Sequence, residues 1–342
     1  MSSFRLFAIM VTGAAFAGQG EAQAQTGDSF YKDKQVTMVV GNAPGGGNDN
    51  YARITARHLG RFIPGSPTFI VQNMPGAGGL RAAGHMYNVA PKDGSSIALI
   101  QRANLTGPLL DTSGRQIPLD MTKFNWLASI NSDTGFIVVW HTTPHMNIAD
   151  LAKHELIVGS ANPTSETIPY FLNNIFGAKI KVVAGYKSGT EIILAMERGE
   201  VQARILGSIA GPWPLIEPLL KANKVRFLAT LSPKRSPLMP EIPTLRELAG
   251  TSEQGQMVDL LLYAQLWGRP FLMPPDVPAA RVSLVRNAFG QMVSDEEFLE
   301  EARKMKLDIE LLKGEEIEEI VKKLYALPPH VVEATKKAVT PH

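Results

Sequence analysis

The sequence predicts an α/β fold in two lobes with a cleft between them, and three observations carry that reading. Short β-rich runs alternate with helical patterns along the chain, the sign of layered helices and mostly parallel sheets. The alternation restarts after about Asp133, and a strand pattern returns late, beyond a long polar and proline-rich loop. A chain that leaves one α/β half, builds a second and comes back follows the plan of a bilobed binding protein. Its loops meet at the carboxyl ends of the strands, where a ligand is enclosed between the lobes.

Taken in order, "QVTMVVG" reads as the first strand. "YARITARHLGRF" follows as a helix with Tyr51, Ile54, His58, Leu59 and Phe62 on one face, ended by Pro64-Gly65. "TFIVQN" is a second strand, and "SIALI" a third, introduced by the turn "PKDGS". In the second half, "GFIVVW" and "ELIVGS" read as strands around a short helix "IADLAKH". "TSETIPYFLNNIFG" reads as a helix closed by Gly177, "KIKVVAGY" as a strand, "TEIILAMERG" as a helix ending at Gly199 and "VRFLATLS" as a strand. After the loop "SPKRSPLMPEIPT", "YAQLWGRPF" reads as a strand and "PPDVPAARVSLVRNAFGQMV" as the start of a helix. The charged segment from "DEEFLEEARKMK" onward reads as amphipathic surface helices. The expected division is residues 25–133 for the first part of lobe 1, 134–260 for lobe 2, and 261–342 for the return to lobe 1 and the C-terminal helices.

Composition narrows the function classes. The chain has 342 residues, 44% hydrophobic and 19% charged, a globular balance with room for two domains. A net charge of +2, without a basic run interleaved with aromatics, argues against nucleic acid. Arg5, an apolar run from Leu6 to Ala17, and Ala22 and Ala24 at A-x-A spacing read as a secretory signal over residues 1–24, cleaved near Ala24. The absence of cysteine excludes disulfides, thiolate metal sites, cysteine nucleophiles and a lipid-modified cysteine. Together these point to a protein free in a bacterial periplasm, expected as a monomer, with neither cofactor nor metal.

Three loops have strand–loop–helix placement. "APGGGNDN" sets Pro44, Gly45, Gly46 and Gly47 before Asn48 and Asp49, baring backbone N–H groups for an anion while Asn48 or Asp49 caps the helix. "GSANPTSET" offers Ser160, Asn162, Thr164 and Ser165, as donors to a carboxylate or as ordinary caps. "GYKSGTE" offers Gly185, Tyr186, Ser188, Gly189 and Thr190, as a ligand loop or a simple turn with Thr190 as cap. No P-loop, G-x-G-x-x-G, G-x-S-x-G or H-E-x-x-H pattern occurs, and "HTTPH" sets a proline between His141 and His145.

"VTMVVGNAPGGGNDNYARITARHL", "FIVQNMPGAGGLRAAGHM" and "APKDGSSIALI" present P-G-G-G-x-D-x-x-A-R, N-x-P-G-A-G-G and P-x-D-G in that order. "YKSGTEIILAMERGEV" and "LATLSPKRSPLMPEIPTLRELAG" add later matches. The chain thereby resembles the Bug-type, or TctC-like, extracytoplasmic solute receptors of tripartite tricarboxylate transporters. The resemblance implies a two-lobed periplasmic binding protein (Venus-flytrap) fold, a small organic carboxylate as ligand and membrane permease subunits as partners. It also implies that Pro44 to Asp49, Ser160 to Ser165 and Gly185 to Thr190 face the ligand, with Asn73 to Gly79 mainly architectural. Asn162-Pro163-Thr164 and "VAGYKSG" depart from the family pattern on ligand-facing loops, so a standard dicarboxylate does not follow. The alternatives in other classes are a bilobed sensor for an organic acid and an exported enzyme on an anionic substrate.

Overall fold

The computed structural model describes residues 30–111, 118–161, 163–209 and 212–341. The expected signal segment 1–24 and Asn162 lie outside the described residues. The strands are β1 (Gln35–Val40), β2 (Thr68–Asn73), β3 (Ser96–Leu99), β4 (Asn125–Ser129), β5 (Gly135–Trp140), β6 (Leu156–Gly159), β7 (Ile180–Val183), β8 (Ala203–Leu206), β9 (Val225–Leu231), β10 (Pro270–Met273) and β11 (Leu312–Lys313). They form two sheets, one in the order β11-β4-β10-β3-β1-β2 and the other β7-β6-β8-β5-β9. The chain crosses from the first sheet to the second between β4 and β5 and returns between β9 and β10.

Helices cover both sheets. Beside the first strands lie α1 (Gly47–His58), α2 (Leu80–Asn88) and α3 (Ala103–Leu110). Within the second half lie α4 (Thr167–Phe176), α5 (Gly189–Glu197) and α6 (Trp213–Lys221), and α7 (Ser252–Leu262) precedes the return. The chain ends with α8 (Ala279–Met292), α9 (Glu296–Lys304), α10 (Gly314–Tyr325) and α11 (Pro329–Ala338). Val36, Met38 and Val40 enter one core with Ile54 and Phe289, while Val39 points into another with Trp126 and Trp267. A strand covered on both faces has no polar side, which is why β1 ends in the apolar run Met38–Val40. The second sheet repeats this, with Ile137 and Val139 on one side and Phe136 and Val138 on the other. The last helix packs Val331 and Ala338 into the core of this second sheet.

Two expectations are corrected. The sheets are mixed rather than mostly parallel: β1 runs parallel to β2 and β3, and β6 to β7 and β8, but β10 and β5 are antiparallel to their neighbours. A strand that begins at a crossing between lobes must run away from the cleft, opposite to strands that end there. Within "YAQLWGRPF", Tyr263–Gln265 is a 3-10 turn and only Pro270–Met273 extends as a strand, because Gly268-Arg269 belongs to the crossing.

Candidate functional site

The cleft edge of the first lobe is built by β1 and α1. Gly45 takes a φ of +84°, open only to glycine at low cost, and Gly46 then enters α1 with a φ of −86°. No side chain caps this helix, so its leading N–H groups are left for an external acceptor. The expected capping role of Asn48 or Asp49 is therefore corrected. Asp49 instead lies inside the first turn, 1% exposed, and accepts from Gly45 N (2.8 Å), Arg53 Nε (2.8 Å) and Asn73 Nδ2 (2.9 Å). Burial pushes its carboxyl up, but the hydrogen bonds from Arg53, Gly45 and Asn73 outweigh this and hold it at about 2. Asn73 Nδ2 also donates to Asn42 O (2.9 Å), and Asn48 Nδ2 to Asn42 Oδ1 (2.6 Å). The loop is thus braced from behind by Asp49, Arg53 and Asn73, which do not line the cavity in front of it.

A cavity of about 460 Å³ opens in front of it, lined by Pro44, Gly46, Gly47 and Asn48 together with Gln101, Arg102, Asp133 and Arg269. Gly45 and Asp49 do not line it. Both arginines were invisible to motif reading, yet topology puts them there. Arg102 follows the carboxyl end of β3, and Arg269 precedes β10, which is antiparallel to β3 and so starts at the same edge. Arg102 Nη1 lies 2.5 Å and Arg269 Nη1 3.6 Å from the same Asp133 oxygen, so one carboxylate serves two guanidiniums. Burial lowers the Arg102 pKa, with Asp133 opposing the shift and Arg269 adding to it. The Arg269 guanidinium also sits 4.8 Å from the centre of the Tyr51 ring, and its Nε is buried without a protein partner.

A second cavity, of about 290 Å³, lies on the other lobe and shares Arg102 with the first. Ser165 and Gly189 line it beside Gly159, Arg204 and Gln265. Ser160 is fully buried behind Ser165, its Oγ 2.7 Å from Ser165 Oγ and donating to Glu166 Oε1 at 3.1 Å. Thr164 falls in the 3-10 turn Pro163–Glu166. Gly185 (φ +103°), Tyr186, Ser188 and Thr190 do not line either cavity. The cap of α5 is Ser188, whose Oγ accepts from Glu191 N at 3.2 Å, and not Thr190, which is exposed. The arrangement can hold an anion; among the described residues, no cluster of His, Asp or Glu could hold a metal ion.

Comparison with known proteins shows the family and the fold. Residues 52–298 match the model of the tripartite tricarboxylate transporter family receptor. A protein in the gbd 5′ region of Cupriavidus necator is 29% identical over 237 residues, covering 66% of this chain and 67% of that one. The crystal structure of a TctC solute-binding protein from Polaromonas superposes with a TM-score of 0.69 at 18% identity, over 89% of this chain and 99% of that one. MatC of Rhodopseudomonas palustris with bound malate gives 0.53 at 20% identity, over 90% and 99%. The two structural likenesses show the two-lobed α/β fold of such binding proteins.

Proposed function

The chain belongs to the tripartite tricarboxylate transporter family of receptors, solute-binding proteins and not enzymes, and from that premise we propose how it works. It captures a small organic carboxylate in the periplasm and delivers it to tripartite-type permease subunits. The observation that carries the ligand class is the uncapped start of α1 opening on a cavity where Arg102 and Arg269 share the single carboxylate of Asp133. Free N–H groups, the positive end of a helix and one unbalanced guanidinium charge all favour an anion there. The malate in the MatC structure supports a carboxylate as that anion. The reading places Pro44, Gly46, Gly47 and Asn48 against the ligand, with Asp49 and Gly45 as their brace. No helix among the described residues is long and apolar enough to cross a membrane.

A thermal-shift screen of mono-, di- and tricarboxylates with neutral sugars as controls tests this, because a ligand of the folded state raises Tm by mass action. One or more acids should shift the wild type. The same acids should fail on Gly46→Val, whose ordinary φ of −86° and open surroundings (nearest atom 3.9 Å) let it fold while the added side chain blocks the amides. Shifts by sugars and by no acid would overturn the carboxylate reading, and a folded Gly46→Val that binds like wild type would overturn the role of the loop.

A further inference from the structure

Arg204 has no account in the fold. It sits mid-strand on β8, and its neighbours Ala203 and Ile205 point into the core of the second lobe while Arg204 faces the other way, toward α5. Its guanidinium presses so closely on Gly189 that any Cβ at that position would overlap it. Among the described residues it has neither a hydrogen-bond nor an ion-pair partner. Burial alone lowers its pKa, and no acidic side chain opposes the shift. A partly desolvated cation without a counter-charge costs stability. Its place beside the first residue of α5 adds to that cost, because a helix N-terminus carries partial positive charge and repels a cation. Both penalties become contributions to affinity once an anion in the adjoining cavity lies against the guanidinium and near the helix end.

The lining of the cleft shows that such an anion has a place. The charged side chains along the two cavities are Arg102, Arg204, Arg269 and Asp133, three guanidiniums against one carboxylate. Arg102, common to both cavities, is tied up by Asp133. The uncompensated charge therefore stands at two separate points, near the α1 loop on one lobe and at Arg204 on the other. We infer that Arg204 is a specificity-determining residue that binds a second anionic group of the ligand directly, so that this receptor selects dianions able to bridge its two lobes. The inference rests on the carboxylate reading above and adds to it a named side chain and a minimum ligand charge.

The test is titration calorimetry with linear α,ω-dicarboxylates of three to eight carbons and the monocarboxylates of the same lengths, on wild type, Arg204→Met and Arg204→Lys, with circular dichroism as the folding control. Wild type should bind at least one diacid far more tightly than its monoacid counterpart. Arg204→Met should lose about 10- to 100-fold for that diacid, the range for a hydrogen bond to a charged group, and change monoacid binding little. Arg204→Lys, which keeps the charge without the fork, should fall between. A structural arginine would lower the Tm of the ligand-free protein when removed, whereas here Arg204→Met should leave it unchanged or raise it by about 2–4 °C. Equal affinity of wild type for mono- and diacids, or undiminished diacid binding by Arg204→Met, overturns the role of Arg204 and leaves the receptor reading standing. If neither these series nor any acid of the thermal-shift screen binds wild type, the carboxylate reading itself falls and this inference falls with it.

Discussion

Asp49 shows how a residue can brace the proposed ligand loop without lining the cavity in front of it. Its carboxylate gathers Gly45 N, Arg53 Nε and Asn73 Nδ2 and leaves the helix start free of side-chain caps. Asp49→Asn keeps the size but sets an amide donor among three donors, and should destabilise the protein by roughly 1–3 kcal/mol in urea titrations. The folded carboxyl is held at about 2 against an ordinary 3.8. A depressed acid contributes stability above its unfolded pKa and loses it as pH falls through the folded value. The gap between wild type and Asp49→Asn should thus be full above pH ~4 and close as pH falls toward ~2. A gap that persists at pH 2 would mean the brace is steric rather than ionic. From sequence, this residue reads as a cap because Asp favours that position. One of the three donors that hold it inside the turn, Asn73, lies more than twenty positions away, where no local pattern reaches.

At the scale of elements, the strands and helices with strong periodicity were legible, and so was the gain of one lobe after the other. The strands β4, β8 and β11 and the helices α2, α3, α6 and α7 were not singled out, and packing rather than local pattern fixes them: Trp126 on β4 and Leu260 on α7, for instance, meet in one core. The site was half legible. A run of three glycines is visible in the sequence, so Gly46 and Gly47 were singled out along with Gly45, the one whose φ requires glycine; Arg102, Arg204 and Arg269 stand in unremarkable surroundings and become a group only when strand order brings them together. The start of α5 offers a direct contrast. Ser188→Ala removes the observed cap and should cost roughly 0.5–2 kcal/mol, while Thr190→Ala, exposed and uninvolved in the cap, should be near neutral. Thermal melts of the two variants side by side decide it, and a larger loss from Thr190→Ala would return the cap to where the sequence alone put it.

For the molecule as a whole, Asp133 is one of the points at which the lobes are tied. It stands on the crossing from β4 to β5, holds Arg102 at 2.5 Å and accepts from Ser208 Oγ at 3.1 Å, just beyond β8. Arg102 Nη2 also reaches Gly207 O at 3.4 Å. In the proposed binding mode an incoming carboxylate at the α1 loop meets the same two guanidiniums, which gives Asp133 two opposed parts. In that mode it offsets one of the two positive charges while the cleft holds no ligand, and it repels the anion that replaces it as their partner. Asp133→Asn separates these parts. Removing one member of a part-buried ion cluster should lower the Tm of the ligand-free protein, by a free energy on the order of 1–3 kcal/mol given the residual exposure of Arg102. The same change leaves the site more positive, so an acid that binds wild type should raise the Tm of Asp133→Asn by more than it raises that of wild type. The two shifts must move in opposite directions for this account to stand. A variant that loses both stability and ligand response would instead make Asp133 an organiser of the arginines, holding them where the anion needs them.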